Sequence, residues 1–272
     1  MDTKLKHIKR DYKSIKTSIL HLFRPLFLLL FTSILLTSCA DDDNSGNASN
    51  NTENRQPLGS SANDLLSATQ FTSLTLEIVS VEGFEPTADA IANFRAFIEE
   101  RVFKPDGITI NQRSIPSSGD APFSIEEIAE IENENRTVFN EEGDIAVYIY
   151  FADGSSENDA GDQITLGSAY FNTSMVIYEG TLQNLANNPN APFLSTIETA
   201  TLNHEFAHLL GLVDLGSPLQ SDHEDEDAEN HCNVAGCLMQ AAIQFSTGMM
   251  GLSTVPELDA QCIADLQANG GR

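Results

Sequence analysis

Positive charge is scarce in this chain and unevenly placed. Against 40 Asp and Glu there are 14 Lys and Arg, and seven of these (Lys4, Lys6, Lys9, Arg10, Lys13, Lys16 and Arg24) fall within residues 1–39. Residues 40–272 are left with seven basic and 38 acidic side chains, a formal charge of about −31. Such a surface repels phosphate backbones and anionic headgroups, and no basic patch is present, so nucleic acid is excluded as a partner. Long apolar runs are also missing: the run from Leu26 to Leu36 is too short for a comfortable bilayer span. No internal repeat is apparent. Cysteine is sparse, with four in 272 residues. What is present is an apolar fraction of 41%, enough for an ordinary buried core.

The basic head followed by the short apolar run reads as an export signal. Its end, "LTSC" at Leu36–Cys39, resembles the bacterial lipobox, which implies that Cys39 is diacylated and becomes the mature N-terminus. The segment after it, "ADDDNSGNASNNTENRQPLGSSAND", has almost no aromatic or β-branched residue and cannot bury enough surface to offset its ordering entropy. It is expected to be a flexible tether. Its acidic start resembles the surface-export signal of some Bacteroidota lipoproteins, which implies a cell-envelope location, at the outer membrane or cell surface. The expected organisation is a signal peptide over 1–39, a tether over 40–64 and one domain over 65–272. A monomer is expected.

Within the domain, "SLTLEIVSV" (Ser73–Val81) alternates apolar residues as a half-buried strand does. "TADAIANFRAFIEERVF" places Ile91, Phe94, Ile98 and Val102 at helical spacing, with Thr87 as N-cap. A short strand near Ile108–Ile110, a helix opened by Ser124 with Glu127 at capping-box spacing, and the strand "DIAVYIYF" continue the alternation. Alternating strands and helices predict a largely parallel sheet with helices packed on it. Thr165–Tyr178, with a polar centre at Asn172, reads as an edge strand or ribbon able to accept an extended peptide. A last helix is expected after Pro256.

The chemistry is concentrated in "TLNHEFAHLLGLVDLG" (Thr201–Gly216), within a stretch long enough for a helix of about five turns. On such a helix His204 and His208 lie one turn apart on one face, so both imidazoles can bind one Zn²⁺. Glu205, beside them, can take a proton from a metal-held water and return it to a leaving amine, which is the chemistry of peptide hydrolysis. A glycine three residues past the second histidine, Gly211, can end the helix in a left-handed turn and send the chain back under the metal. The run His204, Glu205, His208, Gly211, Asp214 resembles the signature of the metzincin clan of zinc metallopeptidases, HExxHxxGxxH with Asp sometimes last. Downstream, "HCNVAGCLM" (His231–Met239) resembles the end of the archaemetzincin signature, where the histidine is the third zinc ligand and the methionine forms a tight turn beneath the site. There the pair follows the glycine almost at once, whereas here residues 212–230 intervene. His231 is therefore the expected third ligand across an inserted loop. Asp214 is the alternative, as ligand or as a carboxylate orienting an imidazole, with His223 or water as further options. Met239 would be the Met-turn residue. Gln240 stands where some metzincins carry a tyrosine that assists the oxyanion.

The run "SDHEDEDAE" holds six carboxylates between Asp222 and Glu229, so Ca²⁺ is possible, although it lacks the glycine and spacing of a calcium loop. Export favours a disulfide somewhere among Cys232, Cys237 and Cys262. Archaemetzincins hold a second zinc on four cysteines, and by that resemblance Asp265 stands in "CIAD" where the last cysteine would be. Together these resemblances imply an α+β, zincin-like (metzincin) domain. It has a twisted, mixed but mainly parallel sheet with an antiparallel edge strand, an active-site helix and a small C-terminal Met-turn subdomain. The implied activity is that of a zinc-dependent metalloendopeptidase on protein or peptide substrates. Two alternatives remain: a non-catalytic surface binding lipoprotein on the same scaffold, and a zinc amidase acting on a non-protein substrate.

Overall fold

A computed structural model describes residues 52–161, 163–189, 191–241 and 254–272. The signal segment, Cys39 and the first part of the tether lie outside the described residues. Among the described residues, no helix is long and apolar enough to cross a membrane.

The sheet has five strands: β1 (Ser73–Val81), β2 (Gly107–Ile115), β3 (Asp144–Phe151), β4 (Gly167–Phe171) and β5 (Ser174–Ile177), in the order β2-β1-β3-β5-β4. β1 pairs in parallel with β2 and β3, β3 pairs in parallel with β5, and only β4 runs antiparallel, at the edge. The central strands read as near-continuous apolar runs because helices cover both faces. Along β3 the side chains alternate. Ile145, Val147, Ile149 and Phe151 enter the larger core, while Tyr148 and Tyr150 enter a smaller one on the opposite face.

The larger core is covered by α2 (Ala88–Arg101) and α5 (Leu194–Leu209), which meet edge to face at Phe94 and Phe206, ring centroids 5.3 Å apart. Thr87 caps α2 by accepting from Ala90 N, and its own N–H donates to the buried Glu198 of α5. On the opposite face α3 (Ile125–Asn135) begins with a full Ser124/Glu127 capping box and contributes Ile128. Its end is tied to the sheet through the buried pair Arg136–Glu132, 2.8 Å, with Ser174 donating to Glu132. The remaining helices are α1 (Ala62–Leu66), α4 (Glu179–Ala186) and α6 (Ala260–Ala268), and a two-stranded ribbon joins β6 (Glu224–Asp225) to β7 (Ala228–Cys232).

The stretch Thr165–Tyr178, expected as an edge strand or ribbon, is a two-stranded hairpin: β4 is the edge, β5 lies inside the sheet, and the polar Asn172 sits at the turn between them. Two expectations change. β2 extends from the expected short strand to Ile115. Its pattern of mostly exposed polar residues, Asn111 to Ser114, carries little apolar signal because β2 is an outer strand. The tether boundary also moves. Asn54 is fully buried and its side chain donates to Asn140, the Ala146 carbonyl and Thr173 at 2.8–3.1 Å. Asn172 in turn accepts from Gln56 N and donates to Ser61. Residues 54–64 are therefore part of the domain, held by side-chain amides, a kind of anchoring that hydropathy does not register.

Candidate metal centre and substrate cleft

α5 carries the two helical histidines under the sheet edge. Each Nδ1 faces a backbone carbonyl at 2.8 Å, His204 that of Leu238 and His208 that of Leu212. A carbonyl can only accept, so Nδ1 holds the proton and Nε2 presents its lone pair. The two Nε2 atoms lie 3.2 Å apart, the separation that two ligands on one zinc adopt when each bond is about 2.1 Å. Burial pushes the His204 pKa down to about 4 and the His208 pKa well below its usual value, so both rings are neutral at pH 7, as metal ligation requires.

The chain leaves α5 through Gly211 at φ +89°, a left-handed turn in which an added Cβ would come within 2.5 Å of Ser217 N. The ribbon β6–β7 then brings His231 back. Its ring centroid lies 5.4 Å from that of His204 and 5.1 Å from that of His208, and its Nδ1 faces the Glu229 carbonyl at 2.9 Å. The ligand nitrogens of His204, His208 and His231 all lie within 4.8 Å of one another. Three imidazoles whose Nδ1 atoms face backbone carbonyls and whose ligand nitrogens converge fit a zinc ion with one open position.

Asp214 does not join this group. It is exposed, at φ +58° in the turn, and the three-histidine group forms without it. His223 is fully buried elsewhere, with Nε2 3.3 Å from Asp265 Oδ2 and Nδ1 3.0 Å from the Ser221 carbonyl. The acidic run 222–229 forms the ribbon, and its carboxylates join no metal-capable group among the described residues, so the structure lends calcium no support. Met239 is fully buried, and its carbonyl accepts from Cys232 N at 2.8 Å, one residue past the Leu238 carbonyl that holds His204.

Glu205 is 7% exposed. Its Oε2 accepts from Ala169 N of the edge strand at 2.9 Å. Burial pushes its pKa up to about 8, with the Ala169 N–H opposing the rise. A cleft of about 360 Å³ runs past Glu205 and the three histidines, floored by α5 and walled by residues 164–169 on one side and Asn230 and His231 on the other.

Behind the centre lies a second group. Cys232, Cys237, Cys262 and Asp259 bring their ligand atoms within 4.8 Å of one another, and all three thiols are free rather than joined in the expected disulfide. Cys237 Sγ is 3.7 Å from Cys262 Sγ, and Cys232 Sγ is 3.1 Å from Asp259 Oδ2. Burial opposes ionisation of Asp259, but hydrogen bonds from Cys237, Cys232 and the Gln261 and Cys262 amides hold its pKa down at about 2. By the family resemblance Asp265 stands where the last cysteine would be, which counts against a second site, whereas the carboxylate brought to the thiols is that of Asp259. The available signal was "DAQC", an aspartate three before Cys262 at the N-cap of α6.

No family model matches the chain, and no curated protein matches it. Among solved structures, archaemetzincin from Methanopyrus kandleri is similar at 16% identity and a TM-score of 0.46, over 73% of this chain and 96% of that one. Metalloproteinase-II from Bacteroides fragilis is similar at 16% identity and a TM-score of 0.43, over 75% of this chain and 56% of that one.

Proposed function

We propose that the protein is a zinc-dependent metalloendopeptidase of the metzincin type. The observation that carries this reading is the convergence of three imidazole ligand nitrogens beside a buried glutamate hydrogen-bonded to a sheet edge. A bound zinc would supply Lewis acidity, acidifying an attacking water and polarising a peptide carbonyl. His204, His208 and His231 would hold the ion, with the Leu238, Leu212 and Glu229 carbonyls fixing their rings. Glu205, whose ionised form the charge of a bound zinc would favour against the burial that raises its pKa, would take the proton of the water on the oxygen free of the Ala169 bond and return it to the leaving amine. β4 has no partner on its outer side among the described residues, so an extended peptide can lie along it.

The cysteine–aspartate group is a second place for zinc, with a structural role suited to its closed, sulfur-rich donor set. We further propose that Cys39 carries lipid and anchors the domain at the cell envelope. Incorporation of labelled palmitate, lost in Cys39→Ala, tests the anchor.

The central test is metal content and casein cleavage for wild type and Glu205→Gln. Wild type is expected to hold zinc and cleave. Glu205→Gln is expected to keep the metal and lose at least about a thousandfold in rate. Equal turnover by the two proteins would end the peptidase reading.

A further inference from the structure

One residue of the segment 53–62, Leu58, lines the cleft itself. Leu58, partly exposed, lines the same cavity as Glu205 and the three histidines, as do the partly exposed Leu215 and Ile164, which is 38% exposed. These three aliphatic side chains are part of the cleft lining, and no Lys or Arg is. The segment is clamped on both sides of Leu58. On one side Asn54 is buried in its amide network, and Gln56 pairs with Asn172 at the β4–β5 turn. On the other, Gly59 lies against the turn that follows α5 so closely that an added Cβ would stand 1.4 Å from the Leu215 carbonyl oxygen. Further along, Asn63 donates to the Asn269 carbonyl at 2.7 Å. A side chain held this way at the rim of a reactive centre is a fixed wall.

We propose that Leu58, together with Leu215, determines specificity: the two form a subsite that selects an apolar side chain close to the bond an extended peptide presents to the centre. The proposal rests on the peptidase reading and deepens it. An aliphatic or aromatic side chain gains by leaving water against this wall, whereas a carboxylate would be desolvated there without a cation to meet it. The segment that the composition marks as tether thus supplies part of the substrate site.

The test uses the full chain loaded with zinc, as wild type, Leu58→Asp, Leu58→Ala and Leu215→Ala. One arm maps cleavage sites in a proteome-derived peptide library. The other measures binding of two peptides, identical except for Leu or Asp at the tested position, to the Glu205→Gln protein with and without the Leu58 changes. Wild type is expected to favour an apolar residue at one position flanking the cut. Leu58→Asp is expected to reduce the Leu-over-Asp ratio by roughly tenfold or more, and Leu58→Ala by less, with zinc content unchanged. An unaltered preference in both Leu58 variants would overturn the subsite. If wild type fails to cleave anything, the peptidase reading falls by itself, and the binding arm still judges the subsite: equal binding of the two peptides by wild-type and Leu58-substituted cleft rejects it.

Discussion

His231 and Asp214 are both chemically able to complete a zinc site, and what separates them is where the turn after α5 points them. His231 stands beside the two helical rings, whereas Asp214 faces solvent. His231→Ala is therefore expected to weaken zinc binding by about a hundredfold or more, while Asp214→Ala leaves it within about twofold, as read by competition with a chromogenic chelator. A second residue-scale case concerns the buried Glu179 and its neighbour Glu198. Desolvation, and then the Glu198 charge, push the Glu179 pKa up to about 8, so the folded chain holds a proton that the unfolded chain releases near its usual 4.5. That contribution is complete below the unfolded value and is lost as pH rises through the folded one. Stability should fall between about pH 4.5 and pH 8, and Glu179→Gln should flatten the slope in thermal melts across that window.

At the scale of elements, the relation that matters is between α5 and β4. They approach closely because Gly167 has no side chain: a Cβ there would sit 2.7 Å from Glu205 Cγ and 3.0 Å from Thr201 Cγ2. Gly167→Ala must displace the glutamate or the strand while leaving the three histidines alone. We expect a loss of about a hundredfold in kcat with zinc content unchanged, a separation that metal analysis alongside kinetics will read. The segment before α1 offers a second test. Asn54→Ala removes four buried hydrogen bonds, three donated by its amide and one accepted from Asn140 N, and leaves that N–H without its partner, so a cost of about 2 kcal/mol or more is expected in urea unfolding.

At the scale of the whole molecule, the two metal-capable groups share one stretch of chain, residues 231–238. His231 is followed by Cys232, and Leu238, whose carbonyl holds His204, follows Cys237. Stripping metal with a chelator should lower the melting temperature, since an ion present at about a thousandfold over its Kd adds about 4 kcal/mol to the folded state. Cys237→Ser should both lower the melting temperature and weaken zinc binding at the histidines, whereas His208→Ala should empty the histidine site and leave metal at the thiols. Metal stoichiometry and calorimetry on the two variants separate these outcomes.

The sequence by itself determined what depends on near neighbours. Ser73–Val81 and Asp144–Phe151 are strands because their apolar residues fill both faces of a sheet, and the Ser124/Glu127 cap opens α3 because both partners lie within one turn. His204 and His208 share a face because four residues of helix place them there. Tertiary structure decided the rest. Whether His231 or Asp214 turns inward depends on a ribbon closing across residues 212–230. The choice of Asp259 over Asp265 depends on which side of α6 faces the thiols, and Leu58 enters the cleft only because Asn54 finds partners 86 to 119 residues away. Spacing along the chain fixes geometry only while the backbone repeats. Beyond one element, position is set by which surfaces bury one another, and that information belongs to the folded chain as a whole.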